Sequence, residues 1–160
     1  MEDVSITPAG TGEIPLLDSA LRQLAADLGD AYLSDEAALK AALCGEAPRC
    51  LALLATRRNA VLGAVLASPA FSTMRGGVGL FVSDLWVAAS ARNQGLARRL
   101  LAAALREGVR RGSGAFLKLS VYHDNPTARA SYDRLGFTAQ SGETNMVLMG
   151  HALDNLMESR

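Results

Sequence analysis

The sequence predicts a mixed α/β protein, and three observations predict it. An apolar strand ends at Val87 and a helix of regular periodicity begins near Gln94, joined by a short basic turn that holds Gly95. A second apolar segment, from Ala115 to Val121, follows that helix, so the order strand, turn, helix, strand calls for parallel pairing through a crossover. The length of 160 residues suits one hydrophobic core, and a single domain over residues 1–160 is expected.

Taken in order, Val4-Ser5-Ile6-Thr7 alternates as a short strand. Leu17, Leu21, Leu24 and Leu28 recur on one helical face that ends near Gly29. Ser34 is the expected N-cap of a second helix carrying Leu39, Ala42 and Leu43, with Gly45 as its stop. Two apolar runs, Cys50 to Ala55 and Val61 to Ala67, flank the polar turn Arg57-Arg58-Asn59 as a hairpin would, and Pro69 is expected to end the second run. After the breaker Arg75-Gly76-Gly77 a long strand reads from Gly79 to Val87. Its continuous apolar character at Leu80, Phe81, Val82, Leu85, Trp86 and Val87 predicts burial on both faces. The next helix, from about Gln94 to Arg111, puts Ala97, Leu100, Leu101, Ala104, Leu105 and Gly108 on one side and Arg99, Arg106 and Arg110 on the other; Gly112 and Gly114 break it. Asn125 and Pro126 read as the N-cap and first residue of a further helix that Gly136 closes. Thr144 to Met149 is expected as a final strand.

Sixteen basic and sixteen acidic side chains cancel, which removes the electrostatic case for nucleic acid as a partner. No apolar run is long enough to cross a bilayer, and Met1-Glu2-Asp3 is acidic where a secretory leader is basic. A cytoplasmic protein with no membrane partner is the expectation. Cys44 and Cys50 lack a CxxC spacing, and His123 and His151 stand alone, so no metal site is expected. Charge is unevenly placed. Arg92, Arg98, Arg99, Arg106, Arg110 and Arg111 gather around the turn and its helix, while Asp27, Asp30, Asp35, Glu36 and Glu46 crowd the N-terminal third. That asymmetry fits an anionic ligand at one end of a site and a cationic one at the other.

The turn before the long helix is the most informative feature. The first amides of a helix have no intrahelical acceptor and sit at the positive end of its dipole, so they suit a phosphate, and Gly95 lets the backbone approach one closely. The chain has no Walker A lysine, no GxGxxG and no nucleophile elbow.

These residues resemble the GNAT superfamily of acyl-CoA-dependent N-acetyltransferases. The family signature is Gln or Arg, two residues, Gly, one residue, then Gly or Ala, and it is matched by Arg92, Gly95 and Ala97. It follows Asp84-Leu85-Trp86-Val87, in the place of the family's acetyl-CoA strand. Downstream, Asn125-Pro126-Thr127-Ala128-Arg129-Ala130-Ser131-Tyr132-Asp133-Arg134-Leu135-Gly136-Phe137 is similar to the family block of Asn, Ala, Tyr and Gly-Phe. Phe71 to Gly77, leading to Asp84-Leu85, looks most like the diamine and polyamine acetyltransferase branch. The resemblance implies an α/β (α+β) single-domain GNAT fold. Its central sheet is mixed and mostly antiparallel, with splayed central strands flanked by helices.

It also implies acetyl-CoA as cosubstrate and a small-molecule primary amine, polyamine-like or amino-acid-like, as acceptor, with direct transfer in a ternary complex. Amides of Asn93, Gln94, Gly95, Leu96, Ala97 and Arg98 would hold the diphosphate, with Arg92 and Arg98 adding charge. Peptide groups of Leu85, Trp86 and Val87 would pair with the pantetheine arm as an added strand. Asn125 lies near that arm in the family and caps its own helix as well, and Ala128 belongs to the same block. Tyr132 is the implied general acid, because a phenol with a pKa of about 10 stays protonated at neutral pH; it also shares a helical face with Ala128 and Leu135, and Tyr122 is the lesser candidate. The base is open. Polyamine relatives carry an acidic residue just ahead of the Asp at position 84, where this chain has Ser83. Asp84 could act through water or make structural hydrogen bonds, and strand alternation aims it away from Ser83. An acidic acceptor pocket could draw on Asp27, Asp30, Tyr32 and Asp35, with Ser83 nearby. A protein N-terminus, a lysine or an aminoglycoside is an alternative acceptor, and a non-catalytic acyl-CoA sensor is the alternative of another class. Neither cysteine lies in the signature blocks, so no covalent acetyl-enzyme is expected. The family further implies a homodimer.

Overall fold

A computed structural model describes residues 4–159, which divide into two compact units meeting in sequence between Tyr122 and His123. The first unit contains β1 (Ser5–Pro8), α1 (Ile14–Leu28), α2 (Glu36–Leu43), β2 (Leu51–Arg57), β3 (Ala60–Ser72), β4 (Gly77–Val87), α3 (Leu96–Arg110) and β5 (Leu117–Leu119). Its five strands form one mixed sheet in the order β1-β2-β3-β4-β5. All neighbours are antiparallel except β4 and β5, whose parallel pairing is the crossover that the strand-turn-helix-strand pattern required. The fold class is therefore the mixed α/β arrangement expected.

Side-chain alternation divides the sheet into two faces. Ala52, Leu54 and Ala64 join Ile14, Leu17, Ala20 and Leu21 of α1 and Leu39 and Leu43 of α2 in one core. The opposite face meets α3. A Cβ at Gly63 would stand 2.8 Å from Leu100 Cδ1, and one at Gly108 would stand 2.5 Å from Leu80 Cδ1. Glycine at both positions thus lets α3 lie close on the sheet, over Leu80 and Val65, neither of which is exposed to solvent.

Local signals set most boundaries. Gly29, at φ 76°, ends α1 in the left-handed conformation that a side chain disfavours. The second helix departs from expectation by one residue: Asp35, not Ser34, is its N-cap, with its carboxylate accepting from the Ala38 amide at 2.8 Å. Nor does Pro69 end β3, which runs on to Ser72. The reason lies in the register. Pro69 is opposite Leu80, and the Leu80 amide donates to Phe116 O on the β5 side at 2.9 Å, so this is a pair without bonds between β3 and β4. The Pro69 nitrogen faces the other edge, and β2 has already ended there with Leu51 opposite Ala67. Strand β5 is shorter than the Ala115 to Val121 expected, covering three residues.

The second unit contains α4 (Pro126–Arg134) and α5 (His151–Glu158). The expected caps of α4 hold: Asn125 Oδ1 accepts from the Ala128 amide at 3.1 Å, and Gly136 takes φ 92°. The strand expected over Thr144 to Met149 does not form, and Met146, Val147 and Met149 are exposed. A strand exists only as part of a ladder, and the described residues give this segment none.

Candidate active site

The turn between β4 and α3 carries the candidate site. Asn93 and Gly95 both have positive φ, 60° and 74°, so the chain coils sharply before α3 begins at Leu96. The first α3 bond runs from the Arg99 amide to Gly95 O at 3.1 Å. Consequently the amides of Asn93, Gln94, Gly95, Leu96, Ala97 and Arg98 donate to no acceptor among the described residues. Side chains do not fill this place. Leu96 is buried in the core, the Gln94 amide group turns back to Ser90 O at 3.0 Å, and a Cβ on Gly95 would meet nothing within 4 Å. Free amides, an open glycine and a helix N-terminus suit a diphosphate, so the residues fit the one that coenzyme A carries. Arg98 is exposed beside them. Arg92 is not an open cation: Nη2 pairs with Asp27 at 2.7 Å and Nε donates to Val87 O at 3.0 Å.

Strand β4 supplies a second element. Its pairing with β5 stops at Val82 opposite Leu119, yet β4 continues to Val87. Along Ser83, Asp84, Leu85, Trp86 and Val87, that edge has no strand neighbour among the described residues, which is the splay expected and a place where an extended arm can add as a strand.

The same stretch holds a bulge. Leu66 is opposite Asp84 and Ala67 is opposite Val82, so Ser83 is an extra residue in β4. The insertion reverses the alternation. Leu80 faces α3, whereas Trp86 packs on the core of α1 and α2, and Asp84, two residues before it, shares that face. The alternation that would aim Asp84 away from Ser83 is broken at this bulge, and the Ser83 hydroxyl donates to Leu66 O at 3.3 Å. Burial raises the Asp84 pKa, and the neighbouring Ser83 hydroxyl opposes the rise. A bulge has no composition that alternation could reveal.

The four residues of the expected acidic pocket each have a partner. Asp27 Oδ2 accepts from Trp86 Nε1 at 3.2 Å as well as from Arg92, and Oδ1 accepts from Gln23 at 2.9 Å. These bonds and the Arg92 charge lower its pKa, the Gln23 bond most. Asp30 accepts from the Tyr122 hydroxyl at 2.9 Å. Tyr32 donates to Asp18 at 2.8 Å, under the Arg22 guanidinium 4.6 Å from its ring centroid, and burial together with Asp18 pushes its pKa up to about 12. Asp35 caps α2.

Sequence reasoning missed Asp18. It is buried, bonded to Arg22 at 2.6 Å, and ties the segment after α1 back to the helix through Tyr32. Its signal was present, since an aspartate adjoining Leu17 and three residues before Leu21 falls on the apolar stripe.

In the second unit, Tyr132 is half-buried on α4, and its ring meets Phe137 edge-on with centroids 5.6 Å apart. Burial raises its pKa, so its hydroxyl is protonated throughout the neutral range. Asn125 and Ala128 form the cap of the same helix. No helix is long and apolar enough to cross a membrane, and the described residues contain no cluster of metal-binding side chains.

Comparisons with known proteins bear on this geometry. No curated protein matches the chain. Among solved structures, the integron cassette protein VCH_CASS6 from the mobile metagenome of V. cholerae superposes with a TM-score of 0.76 over 99% of both chains at 21% identity. An aminoglycoside acetyltransferase, meta-AAC0020 from an uncultured soil metagenomic sample, solved with sisomicin, gives 0.74 at 14% identity, covering 91% of this chain and 95% of that one. The aminoglycoside N-acetyltransferase AAC(6')-Iy in complex with CoA gives 0.69 at 20% identity, covering 92% and 93%. At such identities these are likenesses of fold. The model of the acetyltransferase (GNAT) family matches residues 17–137, a span that takes in the cradle, the bulged strand and α4, and the chain therefore belongs to the GNAT acetyltransferase family.

Proposed function

We propose that this N-acetyltransferase moves an acetyl group from acetyl-CoA to a primary amine of a small molecule, by direct transfer within a ternary complex. One observation carries the choice of donor: six consecutive amides, from Asn93 to Arg98, have no acceptor among the described residues and surround an open glycine. When bound, acetyl-CoA supplies an activated acyl group as its thioester. The chain supplies the rest. Amides of residues 93–98, with the Arg98 charge beside them, hold the diphosphate. The free edge of β4 from Ser83 to Val87 orients the acyl arm by strand-like hydrogen bonds. Asp84 takes a proton from the acceptor ammonium, whose pKa is about 10.4 in a lysine-like amine. Tyr132 Oη gives a proton to the leaving sulfur, since burial keeps the phenol neutral.

For the acceptor, polyamine-like and amino-acid-like amines remain the first reading. The two neighbours named as aminoglycoside acetyltransferases support a second, in which the amine belongs to an aminoglycoside. The experiment is a thiol-release assay with acetyl-CoA across diamines and polyamines, amino acids, aminoglycosides and lysine peptides. Turnover with one class identifies the acceptor. Binding of coenzyme A with no release across the panel overturns the transferase reading in favour of a sensor.

A further inference from the structure

We propose that Asp27 is a positioning residue: its carboxylate ties the end of β4 to the turn before α3 and so fixes the span between the acyl-arm edge and the diphosphate amides. The proposal rests on the acetyl-CoA reading above and adds a residue to it.

Asp27 stands on the last turn of α1, and one of its oxygens, Oδ2, receives both Trp86 Nε1 at 3.2 Å and Arg92 Nη2 at 2.7 Å. Arg92 completes a ring by donating through Nε to Val87 O at 3.0 Å. Trp86 and Val87 end the strand edge, and Arg92 directly precedes the free amides, so the ring spans the junction of the two binding elements. The covalent link across that junction is short and bends at two places. Ala88 and Arg92 are extended, with ψ of 141° and 157°, on either side of the single turn Ala89–Ala91. Rotation at either residue would swing the amides relative to the strand. The ring resists rotation at Ala88, because it holds Arg92 at its guanidinium and β4 at a side chain and a carbonyl.

The energy of this ion pair is not what matters. Its side chains are 31% and 51% exposed, and a pair so wet contributes little to stability. What one shared carboxylate oxygen provides is a fixed distance between two donors, and reactions that need an oriented thioester are sensitive to such distances. An amine acceptor reaching Asp27 would have to displace Arg92, so the same geometry removes Asp27 from the acidic acceptor pocket.

Trp86 is the only tryptophan in the chain, so its emission reports on the bond to Asp27 directly. The test measures binding of two probes to the full chain: coenzyme A, which reaches both elements, and adenosine diphosphate, which reaches the amides alone. Asp27→Ala should weaken coenzyme A about tenfold, change adenosine diphosphate by less than about twofold and shift Trp86 emission to the red. Asp27→Asn keeps an acceptor for Trp86 and, like Arg92→Gln, should give a smaller loss; the double variant should lose no more than the worse single one. Equal weakening of both probes, unchanged coenzyme A affinity, or additive losses in the double variant each overturn the proposal. If Asp27→Ala does not fold, the Asn and Gln variants decide alone. A wild-type chain that binds neither probe overturns the acetyl-CoA reading, and this proposal with it.

Discussion

Replacing Gly95 by alanine separates what the turn contributes to stability from what it contributes to binding. The residue has φ 74° and ψ 8°, and an added Cβ meets nothing within 4 Å. No clash enters, so the whole stability loss is that of an L-residue held in the left-handed region, about 1–2 kcal/mol. Asn93 at φ 60° keeps its own bend, since asparagine tolerates that region, and the turn persists. The methyl, however, stands on a turn whose neighbouring amides are free, and it keeps an anion from the close approach that glycine permits. Losing one charge-assisted bond in that cradle costs about 1.5–3 kcal/mol, which is roughly a 10- to 100-fold rise in the coenzyme A dissociation constant. Urea unfolding measures the first quantity, and a calorimetric titration with coenzyme A measures the second. A variant destabilised as stated that binds coenzyme A like the wild type refutes the cradle; one with unaltered stability refutes the left-handed turn.

Tyr132→Phe retains the edge contact to Phe137 and removes only the hydroxyl, so kcat should fall by about 10²–10⁴ with little change in KM; unchanged turnover would remove Tyr132 from proton transfer. Asp84 has a pKa raised in the folded state, so its stabilising effect is complete below the ordinary value of 3.8 and is lost as pH rises through the raised one. Asp84→Asn should therefore gain stability relative to wild type across that rise, as urea midpoints at successive pH values would record, and a difference that does not vary with pH would contradict the burial assigned to it. Gly108→Ala brings a Cβ to 2.5 Å from Leu80 Cδ1 and 2.9 Å from Ser113 O, where the backbone oxygen cannot yield as a side chain does. It should cost about 1–3 kcal/mol while leaving coenzyme A affinity intact, and a stability equal to wild type would show that α3 is not held this close to β4.

The features legible in the sequence are those whose causes lie within a few residues of each other. Gly29, Gly95 and Gly136 adopt positive φ where a helix end or a tight turn was read. Asn125 and Pro126 open α4 because a side-chain acceptor and a missing amide both serve at a helix start. The one-residue error at α2 is of the same local kind: Ser34 and Asp35 both cap well, and the carboxylate took the amide of Ala38.

The composition of β4 predicted that it is a strand, but not which way its side chains point, because one inserted residue at Ser83 turns Asp84 and Trp86 to the α1 face and only the pairing with β3 reveals the insertion. The continuation of β3 past Pro69 has a related cause. A proline is excluded by the bond it cannot make, and whether a bond is required there depends on where β2 begins. Asp27 has one partner within a helical turn, Gln23, yet the two that bind its Oδ2, Trp86 and Arg92, lie 59 and 65 residues away. Sequence alone determined the turn before α3, since amides, glycine and helix start follow one another along the chain. Tertiary structure alone decided which charges stand open to a ligand, because a charge is neutralised by whatever the fold brings beside it.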